Sequence, residues 1–210
     1  MPDANWYEAL TELARNLPRA VTSWLTFEAA CNRQELFSEY YLAKPIGEYL
    51  QANTVGILKS EYDHPVLSSY DAGRNPQIDF VILRNGQNSN ICFALEVKWI
   101  RKGTISQMIP RIYNDILRLR LLVSSISNAQ FYFLISGLRD DIDLLKNTLD
   151  IIYREGFHEI TSIDKNTYMK IPSRTRRAIS KKHINSFVIK EIYGYKNPYI
   201  RSVILRISGR

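Results

Sequence analysis

Asp79, Glu96 and Lys98 are the residues of this 210-residue sequence whose types and spacing best suit chemistry. They lie in QIDFVILRNGQNSNICFALEVKW, from Gln77 to Trp99. Two runs rich in apolar, aromatic and β-branched residues flank a loop made of turn residues, which predicts a hairpin. If the chain folds back at the middle of Asn85 to Asn90, Asp79 stands opposite Glu96. Opposed residues on neighbouring strands project to one face with Cβ atoms roughly 5 Å apart. The two-residue period of a strand puts Lys98 on that face as well. Carboxylates so close repel, and a cation, a shared proton or a nearby base must compensate. A hard divalent ion such as Mg²⁺ takes oxygen from one or two carboxylates and keeps other positions for water and phosphate. With an ammonium beside it, such a site suits phosphodiester hydrolysis. The plain alternative is the wet face of an ordinary hairpin. The alternate residues Cys92 and Ala94 are not polar, which argues against that reading.

An Asp on one strand and Glu-x-Lys on the next, here Asp79 and Glu96-Val97-Lys98, resembles the PD-(D/E)XK, or restriction-endonuclease-like, nuclease superfamily. The resemblance implies a Mg²⁺-dependent phosphodiesterase, with Mn²⁺ as a substitute. Asp79 and Glu96 would bind the metal, the Val97 carbonyl would assist, and Lys98 would orient or activate water. Ile78 stands where the motif has proline, and the nearest proline is Pro76. In that superfamily the helix before the first core strand often adds a Glu. Glu39 is the choice here over Glu48, and Glu61 is a further acid near a strand end.

The elements that must position these residues follow from periodicity. Asn5 to Asn16 reads as a helix closed by Pro18, and Thr22 to Asn32 as a second. Gln34 to Gln51 is a third, kinked or restarted at Pro45. Gly56 to Tyr62 reads as a short strand. Asp63 to Pro76 is a long, turn-rich connection of the kind that approaches substrate, and its His64 reads as a surface residue. RKGTISQMIP reads as a basic turn before a helix from Arg111 to Ser124, whose Arg111 and Arg118 suit either phosphate contacts or pairing with Asp115. Gln130 to Ser136 is an unbroken apolar strand of the kind covered on both faces, ended by Gly137. Asp141 to Gly156 reads as a helix, and Phe187 to Tyr193 and Tyr199 to Ser208 as closing strands that extend the sheet or form a dimer surface. From Gln34 to Ser136 the order is αβββαβ, similar to the superfamily core. The expected architecture is α/β: a mixed central sheet flanked by helices, with N-terminal helices over 1–33, a nuclease-like core over 34–160, and a basic segment with closing strands over 161–210.

The net charge of +7 is local. Eight Lys and Arg and no Asp or Glu lie between Lys165 and Lys190. Arg174, Arg176, Arg177, Lys181 and Lys182 are the candidates for holding a phosphate backbone through counterion release. Tyr168 and Phe187 are candidates for stacking on bases. A solvated basic loop and a face for anionic membrane are the alternatives. The cysteines, Cys31 and Cys92, support neither a disulfide framework nor a zinc site. No apolar run reaches the length of a membrane span. The resulting expectation is a cytoplasmic metal-dependent nuclease, with DNA favoured over RNA, and with a homodimer or protein partner where both strands of a duplex are cut. A silent nuclease-fold protein that binds nucleic acid or a partner is the alternative.

Overall fold

β-rich runs alternating with amphipathic helical stripes give this chain an α/β fold with one mixed sheet. The computed structural model describes residues 4–69, 74–84, 90–146, 149 and 158–209. In order the elements are α1 (Ala4–Ala30), α2 (Glu39–Ala52), β1 (Ile57–Asp63), β2 (Gln77–Leu83), β3 (Ile91–Ile100), α3 (Ile105–Val123), β4 (Gln130–Leu138), α4 (Arg139–Lys146), β5 (His158–Ile160), α5 (Lys165–Lys170), α6 (Ser173–Lys181), β6 (Phe187–Lys196) and β7 (Ile200–Ser208). The order α2-β1-β2-β3-α3-β4 is the one expected.

Among the described residues, seven strands lie in the order β1-β2-β3-β4-β7-β6-β5. β3 and β4 pair in parallel and every other neighbouring pair is antiparallel. α3 supplies the crossover that a parallel pair needs. β4, between β3 and β7, is buried along its length except at Leu138, as its apolar run requires. Both closing strands extend the sheet, β7 against β4 and β6 against β7.

Each face has its own core. On one side Leu17 and Leu25 of α1 and Leu42 and Ile46 of α2 pack with Phe80, Phe93 and Trp99. On the other, Ile112, Ile116 and Leu119 of α3 and Ile179 of α6 pack with Phe133 and Leu205. Burying each such side chain stabilises by roughly 1.5–3 kcal/mol. α1 thus belongs to the packing of the sheet.

That packing overrides several local stop signals. α1 runs through Pro18 where two segments were expected, because Leu13, Leu17, Val21 and Leu25 form one continuous buried stripe. α2 likewise runs through Pro45, after Ser38 caps it by accepting from the Tyr41 amide at 3.1 Å. α3 begins at Ile105, within the expected basic turn, because Ile105, Met108 and Pro110 are buried. Gly137 does not end β4. A Cβ there would lie 3.0 Å from Ile142 Cδ1 and 3.1 Å from the Ile100 carbonyl, so glycine admits α4 against the end of β3. β5 was not anticipated. Residues 70–73 of the long connection, 85–89 of the hairpin turn, and 147, 148 and 150–156 of the expected Asp141-to-Gly156 helix lie outside the described residues.

β1 forms one edge of the sheet, and Glu61 within it has φ 49°. No described helix is long and apolar enough to cross a membrane.

Candidate active site

β2 and β3 pair Phe80 with Leu95, Val81 with Ala94 and Ile82 with Phe93. This register opposes Asp79 to Glu96. The ladder stops at Phe80, and the Asp79 side chain takes over its role: Val97 N–H donates to Asp79 Oδ2 at 2.7 Å. Phe93, Leu95, Val97 and Trp99 pack toward α1 and α2. Glu96 and Lys98 therefore face α3.

Two residues of α3 meet them. Lys98 Nζ lies 3.0 Å from Asp115 Oδ2 and 3.3 Å from Glu39 Oε1 at the start of α2. Arg118 Nη2 lies 3.0 Å from Glu96 Oε1, and Nη1 lies 3.5 Å from Asp115 Oδ1. Arg118 also donates to the Gln77 carbonyl, two residues before Asp79. The fold thus brings Asp79, Glu96, Lys98 and Glu39 together, and adds Asp115 and Arg118. Glu48 instead pairs with Lys44 on an exposed face of α2, and Glu61 lies exposed on β1.

The electrostatics follow from burial. Glu96 is 3% exposed, and burial pushes its carboxyl well above the usual value against the pull of Arg118. Burial also lifts Asp79 to about 6, partly offset by the Val97 amide. Burial works against the Lys98 ammonium, but Asp115 and Glu39 outweigh it and hold its pKa above the usual lysine value. Lys98 is therefore a cation at any physiological pH.

Carboxylates outnumber cations in this cluster: Glu39, Asp79, Glu96 and Asp115 surround Lys98 and Arg118. Glu96 Oε1 is buried and accepts no hydrogen bond, because Arg118 Nη2 is close but out of line. Among the described residues no three acidic, histidine or cysteine side chains form a ready-made metal cluster. The donor set is oxygen only, two negative charges are uncompensated when all four acids ionise, and one buried oxygen lacks a hydrogen bond. These features fit a Mg²⁺ ion held by one or two carboxylates and completed by water.

His64 corrects an expectation. It is fully buried. Its Nδ1 accepts from the amides of Val66 and Leu67 at 3.3 and 3.1 Å, so the proton resides on Nε2 and is donated to the Arg118 carbonyl at 3.0 Å. Burial lowers its pKa to about 4. A residue expected at the surface instead braces the helical turn that carries Arg118.

The basic segment forms α5 and α6. Thr175 donates to Asn114 at 2.8 Å, which fixes α6 beside the turn of α3 that bears Asp115. Arg174 donates to the Arg74 carbonyl at 3.2 Å and Arg176 to the Ile171 carbonyl at 3.0 Å, so both take part in the fold. Arg177, Lys181 and Lys182 lie toward solvent, and Lys182 reaches Ser125 at 2.6 Å. Phe187 is buried in the core and presents no ring for stacking on a base, and Tyr168 is half-buried beside Arg176. A cavity of about 320 Å³ opens beside the site, lined by Glu39, Tyr40, Trp99, Arg101 and Arg111. A larger one of about 800 Å³, by Thr26, Leu138 and Tyr199, contains none of the site residues.

Asp115 is the site residue that sequence reasoning passes over. Its signal is there, since it follows Ile112 by three and precedes Leu119 by four, on the stripe that packs against the sheet. An acid on a buried stripe needs a partner, and Lys98 is that partner. Neither protein-family models, nor curated proteins, nor solved structures match this chain, so its function is read from the chemistry of the site itself.

Proposed function

We propose that this chain is a Mg²⁺-dependent nuclease of restriction-endonuclease-like fold, acting on phosphodiester bonds of nucleic acid with DNA as the first substrate. The observation that carries the reading is Asp79 and Glu96 opposed on β2 and β3 beside Lys98, in a buried cluster where carboxylates outnumber cations. Asp79, Glu96 and the Val97 carbonyl would hold the ion, and Mn²⁺ would substitute for it. When bound, it supplies positive charge that polarises a phosphoryl oxygen and acidifies water.

The chain's own residues supply the rest. Val97 N–H fixes the Asp79 carboxylate. Asp115 and Glu39 fix the Lys98 ammonium from two sides. Because Lys98 stays protonated, its role is to donate: it orients the attacking water and steadies charge developing on the phosphate. It is not the base. The burial of Glu96 and Asp115 keeps these interactions strong by limiting competing water. Arg177 and Lys181 on α6 and Lys182 just after it attract the phosphate backbone. A homodimer or protein partner would supply the second cut on a duplex.

One observation favours a second reading, a silent site in a protein that binds nucleic acid. Arg118 already stands 3.0 Å from the Glu96 carboxylate. The test is cleavage of circular DNA, linear DNA and RNA with Mg²⁺, Mn²⁺ or chelator, comparing the native chain with Lys98→Ala. Metal-dependent products lost in the variant support the enzyme. Nucleic-acid binding by folded protein, without cleavage under any of these conditions, supports the silent site.

A further inference from the structure

Arg118 is a cation where a nuclease site would need its metal. Its guanidinium is held by three groups from three elements: the Gln77 carbonyl on β2, Asp115 on α3 and Glu96 on β3. The first two are hydrogen bonds, from Nη2 to the Gln77 carbonyl and from Nη1 to Asp115. The third is different in kind. Nη2 reaches Glu96 Oε1 at 3.0 Å without hydrogen-bonding alignment, so the carboxylate gains charge compensation but no hydrogen bond. Of the three, it is the hold that a better cation can displace.

Resting on the nuclease reading, we propose that Arg118 is a substrate-operated counter-ion. It compensates Glu96 while the site is empty of substrate, and it gives up that role when a phosphodiester oxygen takes the guanidinium. Phosphate suits it chemically, because the planar fork of arginine pairs with phosphate as well as with carboxylate. Nη1 can remain on Asp115 while Nη2, which also donates to the Gln77 carbonyl, turns from Glu96 and Gln77 to the phosphate. The charge count requires the consequence. With Arg118 on Glu96, a divalent ion competes against a fixed positive charge for its own ligand. With Arg118 on phosphate, Glu96 is a buried, uncompensated carboxylate and takes the ion readily. Metal and nucleic acid therefore load together, and free metal alone loads poorly.

The linkage is reciprocal: whatever factor the nucleic acid adds to metal affinity, the metal adds to nucleic-acid affinity. The experiment is a Mn²⁺ titration of the full chain, with free ion read by its EPR signal, in the presence and absence of a short phosphorothioate DNA oligonucleotide, corrected for Mn²⁺ bound by the oligonucleotide alone. Fluorescence anisotropy of the labelled oligonucleotide with and without Mn²⁺ measures the reciprocal arm. The native chain is expected to bind Mn²⁺ on the order of tenfold tighter with the oligonucleotide. Arg118→Met is expected to bind Mn²⁺ that tightly without it and to gain nothing from its addition. Arg118→Lys, which keeps the charge, is expected to bind free Mn²⁺ as weakly as the native chain.

Measurable and equal Mn²⁺ affinity in the native chain and Arg118→Met overturns the role of Arg118 and leaves the metal site standing. Absence of Mn²⁺ binding in both, with and without oligonucleotide, overturns this role and the metal-dependent reading together. If Arg118→Met does not fold, the native chain alone decides, because an oligonucleotide that leaves its Mn²⁺ affinity unchanged overturns the proposal.

Discussion

Asp115 and Lys98 meet between α3 and β3 at 3.0 Å, with side chains 9% and 13% exposed. A pair so withdrawn from water is costly to break from one side, because the surviving charge keeps its desolvation cost and loses its partner. Asp115→Ala is expected to destabilise by about 3 kcal/mol. Glu39, whose side chain is 48% exposed, holds the same ammonium, and Glu39→Gln is expected to cost less than about 1 kcal/mol. Urea unfolding of both variants checks the ranking, and equal losses would contradict it.

Asp79 links stability to pH with an uncommon sign. Burial raises its carboxyl from 3.8 to about 6, so the folded state binds the proton more tightly than the unfolded chain. Stability from this group is present below pH 3.8 and is lost as pH rises through about 6, by about 3 kcal/mol in all. Asp79→Asn removes the loss. Its melting temperature is expected to exceed that of the native chain at pH 8 and to match it near pH 4. A variant less stable than the native chain at pH 8 would refute the assignment.

His64 acts in the other direction. Its folded pKa is lowered from 6.5 to about 4, so the neutral ring contributes stability above pH 6.5 that is lost as pH falls to about 4, again about 3 kcal/mol. His64→Asn keeps an acceptor near the Val66 and Leu67 amides and loses the bond to the Arg118 carbonyl. It is expected to be less stable at pH 7 by about 1–3 kcal/mol and to show a flatter decline between pH 6.5 and 4. Denaturant unfolding across that range reads both.

Arg177 and Lys181 on α6 and Lys182 just after it are exposed, and Arg174 and Arg176 donate to backbone carbonyls. Circular dichroism checks the fold of the chain in which the first three are replaced by alanine. The slope of log affinity against log salt for DNA should shallow by about 0.9 for each phosphate that is no longer neutralised. An unchanged slope would move the nucleic-acid surface elsewhere.

The heart of the site was legible because hairpin register is local. A turn centred between Asn85 and Asn90 is enough to oppose Asp79 to Glu96, and the pairing of Phe80, Val81 and Ile82 bears that register out. The partners of those residues were not legible, because they come from sequence-distant elements. Asp115 and Arg118 sit three apart on α3, a spacing equally natural for a solvated pair, and only the docking of α3 on β3 turns them inward. Helix boundaries failed for a related reason. Pro18, Pro45 and Pro110 are local signals to stop, and the buried stripes of α1, α2 and α3 outweigh them. His64 was misjudged because nothing in its neighbours reveals that the Arg118 carbonyl lies within reach of its Nε2.

The left-handed backbone of Glu61 within β1 has a consequence for how these molecules behave in a crowd. A straight edge strand offers a row of free amides and carbonyls on which a second molecule can add its own strand, the first step toward fibrils. Here that row is broken where Glu61 takes φ 49°, and Lys59 and Glu61 stand exposed beside the break. The described part of the β1 edge therefore offers a second copy a poor template for adding a strand.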